Sequence, residues 1–265
     1  MRRRIYTAKK IRKLFKFFNI RNDKFSNLHN IDSYEDVFLS NLIISKCLIF
    51  SKEIQLENFQ FSENQLRLLI PFAFTKKNNL RIIDFGGSAG THFFIINTLI
   101  GKNRNLDWRI VENSQLVNLS SKISHKGLSF FDSISKARLN FSKPDIGIAS
   151  SVFEYVPEPM VSLSEFLSVG CDIIYLTRTC LNVEHEVFCG VQTSNLKNNG
   201  PGGLPEGIRD QSVSYPIKIS PLSDFIREIE KNYEIIFTVI EKSAVHKIGK
   251  KFFDQYGILA RRKVT

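Results

Sequence analysis

The sequence predicts an α/β fold: a mostly parallel seven-stranded sheet with an antiparallel last strand, flanked by helices and preceded by an N-terminal helical extension. Three observations lead to it. Short apolar runs at 80–85, 108–111, 128–131, 146–149 and 173–176 are separated by stretches long enough for crossover helices. Strands that are apolar on both faces and alternate with helices belong to a parallel sheet, and their crossovers are right-handed. Two final runs, 233–240 and 256–260, are joined only by a Lys-rich connection with no room for a long crossover helix, which fits an antiparallel last pair.

Taken in order, residues 1–78 read as a basic helical extension or cap, and 79–265 as the α/β domain. The net charge of +11 is concentrated in Met1–Lys16, where Arg2, Arg3, Arg4, Lys9, Lys10, Arg12, Lys13 and Lys16 occur without an acid. Ile5, Ile11, Leu14, Phe15, Phe17 and Phe18 interleave at helical spacing, so the segment reads either as a peripheral contact with an anionic membrane or polyanion, or as a solvated tail. Residues 37–50 are apolar but interrupted by Ser40, Asn41, Ser45 and Lys46, which makes them a core helix rather than a membrane span. Leu56, Phe59, Phe61, Leu66, Leu68, Leu69 and Ile70 mark further helix before a polar break at 75–79. No apolar stretch follows the N-terminal charges, which argues against a secretory signal. The four cysteines, Cys47, Cys171, Cys180 and Cys189, form no C-x-x-C pair. That argues against a zinc or disulfide framework and for a reducing, cytoplasmic setting. The 43% hydrophobic content is enough for a full core, and the 23 phenylalanines are read as part of it.

Residues 182–214 break the regularity with Asn195, Asn198, Asn199, Gly200, Pro201, Gly202, Gly203, Pro205 and Gly207. They read as a long loop insertion after the fifth strand, and a loop of that length suggests a substrate lid.

The strongest local signal is Asp84-Phe85-Gly86-Gly87-Ser88-Ala89-Gly90, between the first strand of the domain and the helical run 91–100. Glycines let a ligand approach the backbone, and the following helix offers free N–H groups. The fold is therefore Rossmann-like with a nucleotide-type site. A dinucleotide fingerprint, G-x-G-x-x-G counted from Gly86, fails at Ser88 and Thr91. The pattern acid-x-G-x-G-x-G fits at Asp84, Gly86 and Gly90, with Ser88 as a small replacement. An acid beside the loop suits S-adenosylmethionine, which carries an ammonium and a sulfonium, and would repel a diphosphate. Glu112 ends the next strand about 20 residues on, placed to accept both ribose hydroxyls. Asp132 ends the third strand, where a carboxylate can take the adenine amino group.

These residues, with the block from Pro144 to Pro159 that contains Ser150, Glu154 and Tyr155, resemble class I S-adenosylmethionine-dependent methyltransferases. More narrowly, Phe85-Gly86-Gly87 followed by His92, Phe93 and Phe94, Trp108 before Glu112, and Thr177-Arg178-Thr179 resemble a bacterial methyltransferase family associated with surface-polysaccharide biosynthesis. The resemblance implies O-methylation of a sugar, sugar-nucleotide or other small polar acceptor. It implies cofactor contacts from Asp84, Gly86, Gly87, Ser88, Gly90, Glu112, Asp132 and Ser150. Ser88 departs from the usual middle glycine, and Tyr155 from a common histidine.

A sugar hydroxyl profits from a general base, and ligands gather at the carboxyl ends of strands in such sheets. Glu154 reads as base or as helix-start charge, and Tyr155 as packing on the cofactor. Arg178 reads as an anion grip or a structural ion pair, and His185 as a second candidate base. His92 contacts the cofactor or packs; His125 and His246 lack a constellation. The adjacent Glu184, His185 and Glu186 point different ways and make a poor metal cage, so no metal is expected. An NAD-dependent sugar oxidoreductase is the first rival reading. A non-catalytic binding module of the same fold is the second. Ser150-Ser151-Val152-Phe153 stands where base methyltransferases carry an Asn/Asp-Pro-Pro-Tyr motif, which leaves no clear nucleic-acid site.

Overall fold

The structure is a computed structural model describing residues 17–21, 36–248 and 251–264, with side chains at 36–241 and 251–264. The first described strand is β1 (Phe17–Arg21), which is extended where the sequence suggested helix. The rest of the basic N-terminal segment lies outside the described residues. Helix α1 (Val37–Glu53) starts at Asp36, whose carboxylate accepts the Leu39 N–H. No described helix is long and apolar enough to cross a membrane. A capping box at Ser62 and Gln65 opens the single turn α2 (Glu63–Leu66). It runs into a 3₁₀ helix (Arg67–Phe74) that contains Pro71.

The α/β alternation follows. It runs β2 (Asn79–Phe85), α3 (Thr91–Ile100), β3 (Asn105–Val111), α4 (Ser114–Leu119), β4 (Leu128–Phe131), α5 (Ile134–Arg138), β5 (Ile146–Ser150), a 3₁₀ turn (Phe153–Tyr155), α6 (Pro159–Ser168) and β6 (Ile173–Asn182). β7 (Phe188–Asn195) and β8 (Ser212–Pro221) come next, then α7 (Leu222–Glu230), β9 (Tyr233–Ile248) and β10 (Lys251–Arg262).

Seven strands form the predicted sheet in the order β4-β3-β2-β5-β6-β10-β9, parallel except for β10. The closing pair is an antiparallel hairpin that is longer than its apolar runs. The insertion is a correction. Residues 188–195 and 212–221 are not loop but an antiparallel strand pair, Phe188 opposite Ile219 through Asn195 opposite Ser212. The breakers Gly200, Pro201, Gly202, Gly203, Pro205 and Gly207 all lie between the two strands, so they shape the connection and leave both strands free to pair. β1 joins β7 to the far end of β9, so β10, β9, β1, β7, β8 and β6 pair in a closed ring. Closure removes the free edges that a lone hairpin would expose.

Because the strands are buried on both faces, alternate residues feed two cores. Ile83, Ala149, Ile174 and Leu176 pack with Leu163, Phe166 and Phe225 from α6 and α7. Leu80, Ile82, Trp108, Ile146 and Ile148 pack with Phe93 and Ile96 from α3, and with Phe50, Leu68 and Phe72 from the segment before the sheet. Parallel register aligns the carboxyl tips of β2, β3 and β5, with Phe85 opposite Val111 and Ala149, and sets Ser150 beside Thr177 within β6. Every loop that leaves those tips therefore opens on one edge.

Phe166 is fully buried, while Val161 on the same helix is 57% exposed. Phe166→Ala is expected to lower stability by about 3–5 kcal/mol through the cavity it leaves, and Val161→Ala to stay within about 0.5 kcal/mol. Guanidinium unfolding midpoints of the two variants check this, and equal midpoints would contradict the two-faced core.

Candidate functional site

Asp84 is the last residue of β2 to face the α3 side, and it is fully buried. Its Oδ2 accepts Trp108 Nε1 at 3.1 Å and lies 3.0 Å from His92 Nδ1. A buried carboxylate needs such donors, and they take up the oxygen that faces the glycine loop. A Cβ at Gly87 would come within 2.4 Å of that oxygen, so the chain can pass over Asp84 only without a side chain. Gly86 and Ser88 are both left-handed, with φ of 68° and 54°, and Gly90 precedes the first turn of α3. The sulfur of Cys47 lies 3.1 Å from the Ala89 carbonyl, which ties α1 to the same loop.

Glu112 follows β3 and turns toward the loop. Its Oε1 accepts the Ser88 N–H at 3.0 Å, and its Oε2 accepts the Asn113 N–H at 3.0 Å. Burial pushes this carboxyl up, against the two amide hydrogen bonds. Asp132 follows β4 but is exposed and paired with Lys136 at 2.6 Å, which lowers its pKa. It is not drawn into the cluster.

The tip of β5 and the part of β6 just past it carry the second half of the site. Ser151 is left-handed at φ 52°, and its hydroxyl donates to Glu154 Oε1 at 2.8 Å. Glu154 is 1% exposed, and its Oε2 has no hydrogen-bond partner among the described residues. Burial pushes its carboxyl up to about 7, opposed by the Ser151 bond and the charge of Arg178. Arg178 is also left-handed at φ 52°. Its Nε donates to the buried Ser150 hydroxyl at 3.1 Å, and its N–H to Glu241 Oε2 at 2.6 Å.

Glu241 lies two strands away on β9, and it also accepts the hydroxyls of Tyr175 and Thr177 at 2.9 Å each. It crosses the intervening β10 at Gly257, where a Cβ would stand 2.4 Å from its Oε1. The Tyr155 hydroxyl turns away from the edge and donates to Gln192 Oε1 at 3.1 Å, with Tyr215 edge-on to its ring. His185 is exposed in the turn after β6, and its described neighbour is Ser223, at 3.5 Å. The structure therefore brings together the glycine loop, Glu112, Ser150, Glu154 and Arg178. It leaves Asp132, His185 and the Tyr155 hydroxyl outside.

Sequence reasoning missed Ser151 and Glu241. Ser151-x-x-Glu154 is a short polar spacing that could have been read as a pair. Nothing local marks Glu241, whose role depends on a glycine in another strand. Among the described residues no group of acids, histidines and cysteines is arranged to hold a metal.

No protein-family model matches the chain, and no curated protein sequence matches it. Solved structures do. The [4+2]-cyclase SpnF aligns with TM-score 0.50 at 11% identity over 89% of this chain and 98% of its own. Magnesium protoporphyrin IX methyltransferase (ChlM) from Synechocystis PCC 6803 with bound SAM gives 0.46 at 11% identity over 89% and 100%. The N-terminal domain of EvdMO1, with SAH and D-fucose, gives 0.46 at 13% identity over 81% and 94%. At such identities the likeness is one of fold, and this chain has the fold of SpnF.

The Glu154 carboxyl has a folded pKa above its ordinary 4.5. The folded state therefore holds an extra proton between about 4.5 and about 7, and this group makes stability fall as pH rises through that window. Glu154→Gln is expected to flatten that slope. Urea midpoints of both proteins at pH 5 and pH 8 measure it, and identical slopes would rule the buried proton out.

Proposed function

We propose that this protein is an S-adenosylmethionine-dependent methyltransferase, acting on an oxygen of a sugar, sugar-nucleotide or similar small polar acceptor in surface-polysaccharide biosynthesis. The observation that carries the cofactor is Glu112 Oε1 on the Ser88 N–H, at the mouth of the Asp84–Gly90 turn. SpnF is named as a cyclase, so the fold alone does not set the reaction, and the reading rests on the residues of the site.

Those residues fit the cofactor. Because Gly87 carries no side chain, the loop closes directly over the buried Asp84, which puts negative charge under it. Such a floor favours an ammonium and a sulfonium and disfavours a diphosphate. The Glu112 carboxylate is an acceptor-only group that matches a ribose diol. Bound there, the cofactor would supply an electrophilic methyl carbon. The chain then has to align an acceptor, keep water out and receive a proton. Ser151 and Glu154 are placed for the last task. The Ser151 hydroxyl is already hydrogen-bonded to a carboxylate whose pKa is near neutrality. The sugar and polysaccharide assignment rests on the sequence resemblance at Phe85-Gly86-Gly87, Trp108 and Thr177-Arg178-Thr179. The basic N-terminus would suit an enzyme working close to an anionic membrane surface.

Calorimetric titration tests the reading. S-adenosylhomocysteine is expected to bind saturably and NAD not to bind. Glu112→Ala should weaken the adenosyl ligand about tenfold or more, the effect of losing hydrogen bonds to a charged group. Folded protein that ignores S-adenosylhomocysteine, or that takes NAD instead, would overturn it.

A further inference from the structure

We propose that Arg178 is the anchor of an oxyanion subsite, so that the acceptor carries a carboxylate or phosphate group. This deepens the methyltransferase reading and rests on it for the word acceptor, though the anion site itself can be measured independently.

The first argument is about unused donors. A partly buried guanidinium has five N–H groups to satisfy. Three of the other four partly buried arginines whose side chains are described satisfy both terminal nitrogens within the fold. Arg67 binds Asn64 and Glu63. Arg81 binds Ser142 and Asp145. Arg104 binds the Phe72 and Thr75 carbonyls. Arg109 takes the Ala137 and Leu139 carbonyls with Nη1 alone and lays its guanidinium over the Phe141 ring. Arg178 makes one side-chain bond, Nε to Ser150. Among the described residues neither of its terminal nitrogens has a partner, and no ion pair includes it. Those two nitrogens form the fork that takes carboxylate or phosphate bidentately.

The second argument is preorganisation. Arg178 is a non-glycine residue at φ 52°, a conformation that a bulky side chain holds only when its surroundings enforce it. Glu241 enforces it through the 2.6 Å bond to the Arg178 N–H, and Ser150 fixes the head group. The fold thus uses two buried side chains to hold a cation, and the acid among them, Glu241, bonds the backbone N–H and not the guanidinium. Glu154 is the other nearby acid, and its raised pKa leaves it only partly charged at neutral pH.

The third argument is position. Ser151 leaves the tip of β5, and Arg178 lies within β6 one residue past Thr177, which pairs with the end of β5, on neighbouring strands about 5 Å apart. An oxyanion on Arg178 would bring the rest of a small molecule past the Ser151–Glu154 pair. A rival cluster, Lys77 and Lys143 with Asp145 and Asp172, stands at the opposite, amino-terminal edge, and its charges already pair with one another.

The test uses inorganic phosphate and acetate as probes, titrated calorimetrically into the protein with and without saturating S-adenosylhomocysteine. At least one probe is expected to bind in the presence of the adenosyl ligand. Arg178→Gln should weaken it about tenfold or more, and Arg178→Lys should recover only part of the loss, because a point charge lacks the fork. Which probe binds distinguishes a phosphate-bearing acceptor from a carboxylate-bearing one. Displacement of the probe by S-adenosylhomocysteine would make the anion the cofactor's own carboxylate and overturn the subsite. So would probe binding that survives in both variants, or no binding of either probe. Titration of S-adenosylhomocysteine into each variant shows that it is folded. If that ligand fails to bind the wild type, the cofactor reading falls, while the comparison of probe binding between wild type and variants still decides the anion site.

Discussion

Three glutamates hold three left-handed residues at the carboxyl edge of the sheet, and the geometry of the site depends on them. Glu112 takes the N–H of Ser88, Glu154 the hydroxyl of Ser151, and Glu241 the N–H of Arg178. Each held residue carries a side chain at φ between 52° and 54°, where the Cβ crowds the backbone at a cost of about 1–2 kcal/mol. A hydrogen bond to a carboxylate contributes about 1.5–3 kcal/mol, enough to offset that strain. Strain that is offset by a specific partner, rather than by general packing, persists only where the partner is in place.

The partners come from different parts of the sheet, so the site inherits its geometry from strand register. Glu112 belongs to the neighbouring tip of β3 and Glu154 to the turn that follows Ser151 itself. Glu241 has to span β10, which runs antiparallel between β6 and β9. It does so only because Gly257 presents no side chain there. A slip of one residue in β10 would place a side chain in the path of the carboxylate and put Arg178 out of reach. The antiparallel last strand is therefore part of the candidate site as well as of the core.

What could be read in the sequence follows from the range of the interaction involved. β2 through β6 were legible because runs such as Ile82-Ile83 and Ile146-Gly147-Ile148-Ala149 are apolar on both faces, a local pattern with one structural meaning. The glycine loop and Glu112 were legible because strand, turn and helix are contiguous there. Residues 188–195 were not, because the glycines and prolines at 200–207 coloured the reading of a longer segment than they shape. The strand at 17–21 depends on β7 and β9, partners far along the chain. Ser151 gave no sign of its conformation, since a positive φ at serine leaves no mark in composition. Glu241 is 63 residues from the amide it binds.

The charges along the edge are arranged with a polarity that suits transfer between unlike ligands. On the β3 and β2 side stand Glu112 and the buried Asp84, without an arginine or lysine in contact. On the β6 side stands Arg178, three strand spacings or about 14 Å from Glu112. Over such a distance, in a partly buried edge, the two ends are little screened from their own ligands and well separated from each other. A cationic group is favoured beside Glu112 and Asp84, and the proposed oxyanion beside Arg178. Ser151 and Glu154 lie between them, in the turn that follows β5. Burial there raises the Glu154 carboxyl to about 7, against the Ser151 bond and the Arg178 charge, and a pKa near neutrality is the property that a proton acceptor for a hydroxyl requires.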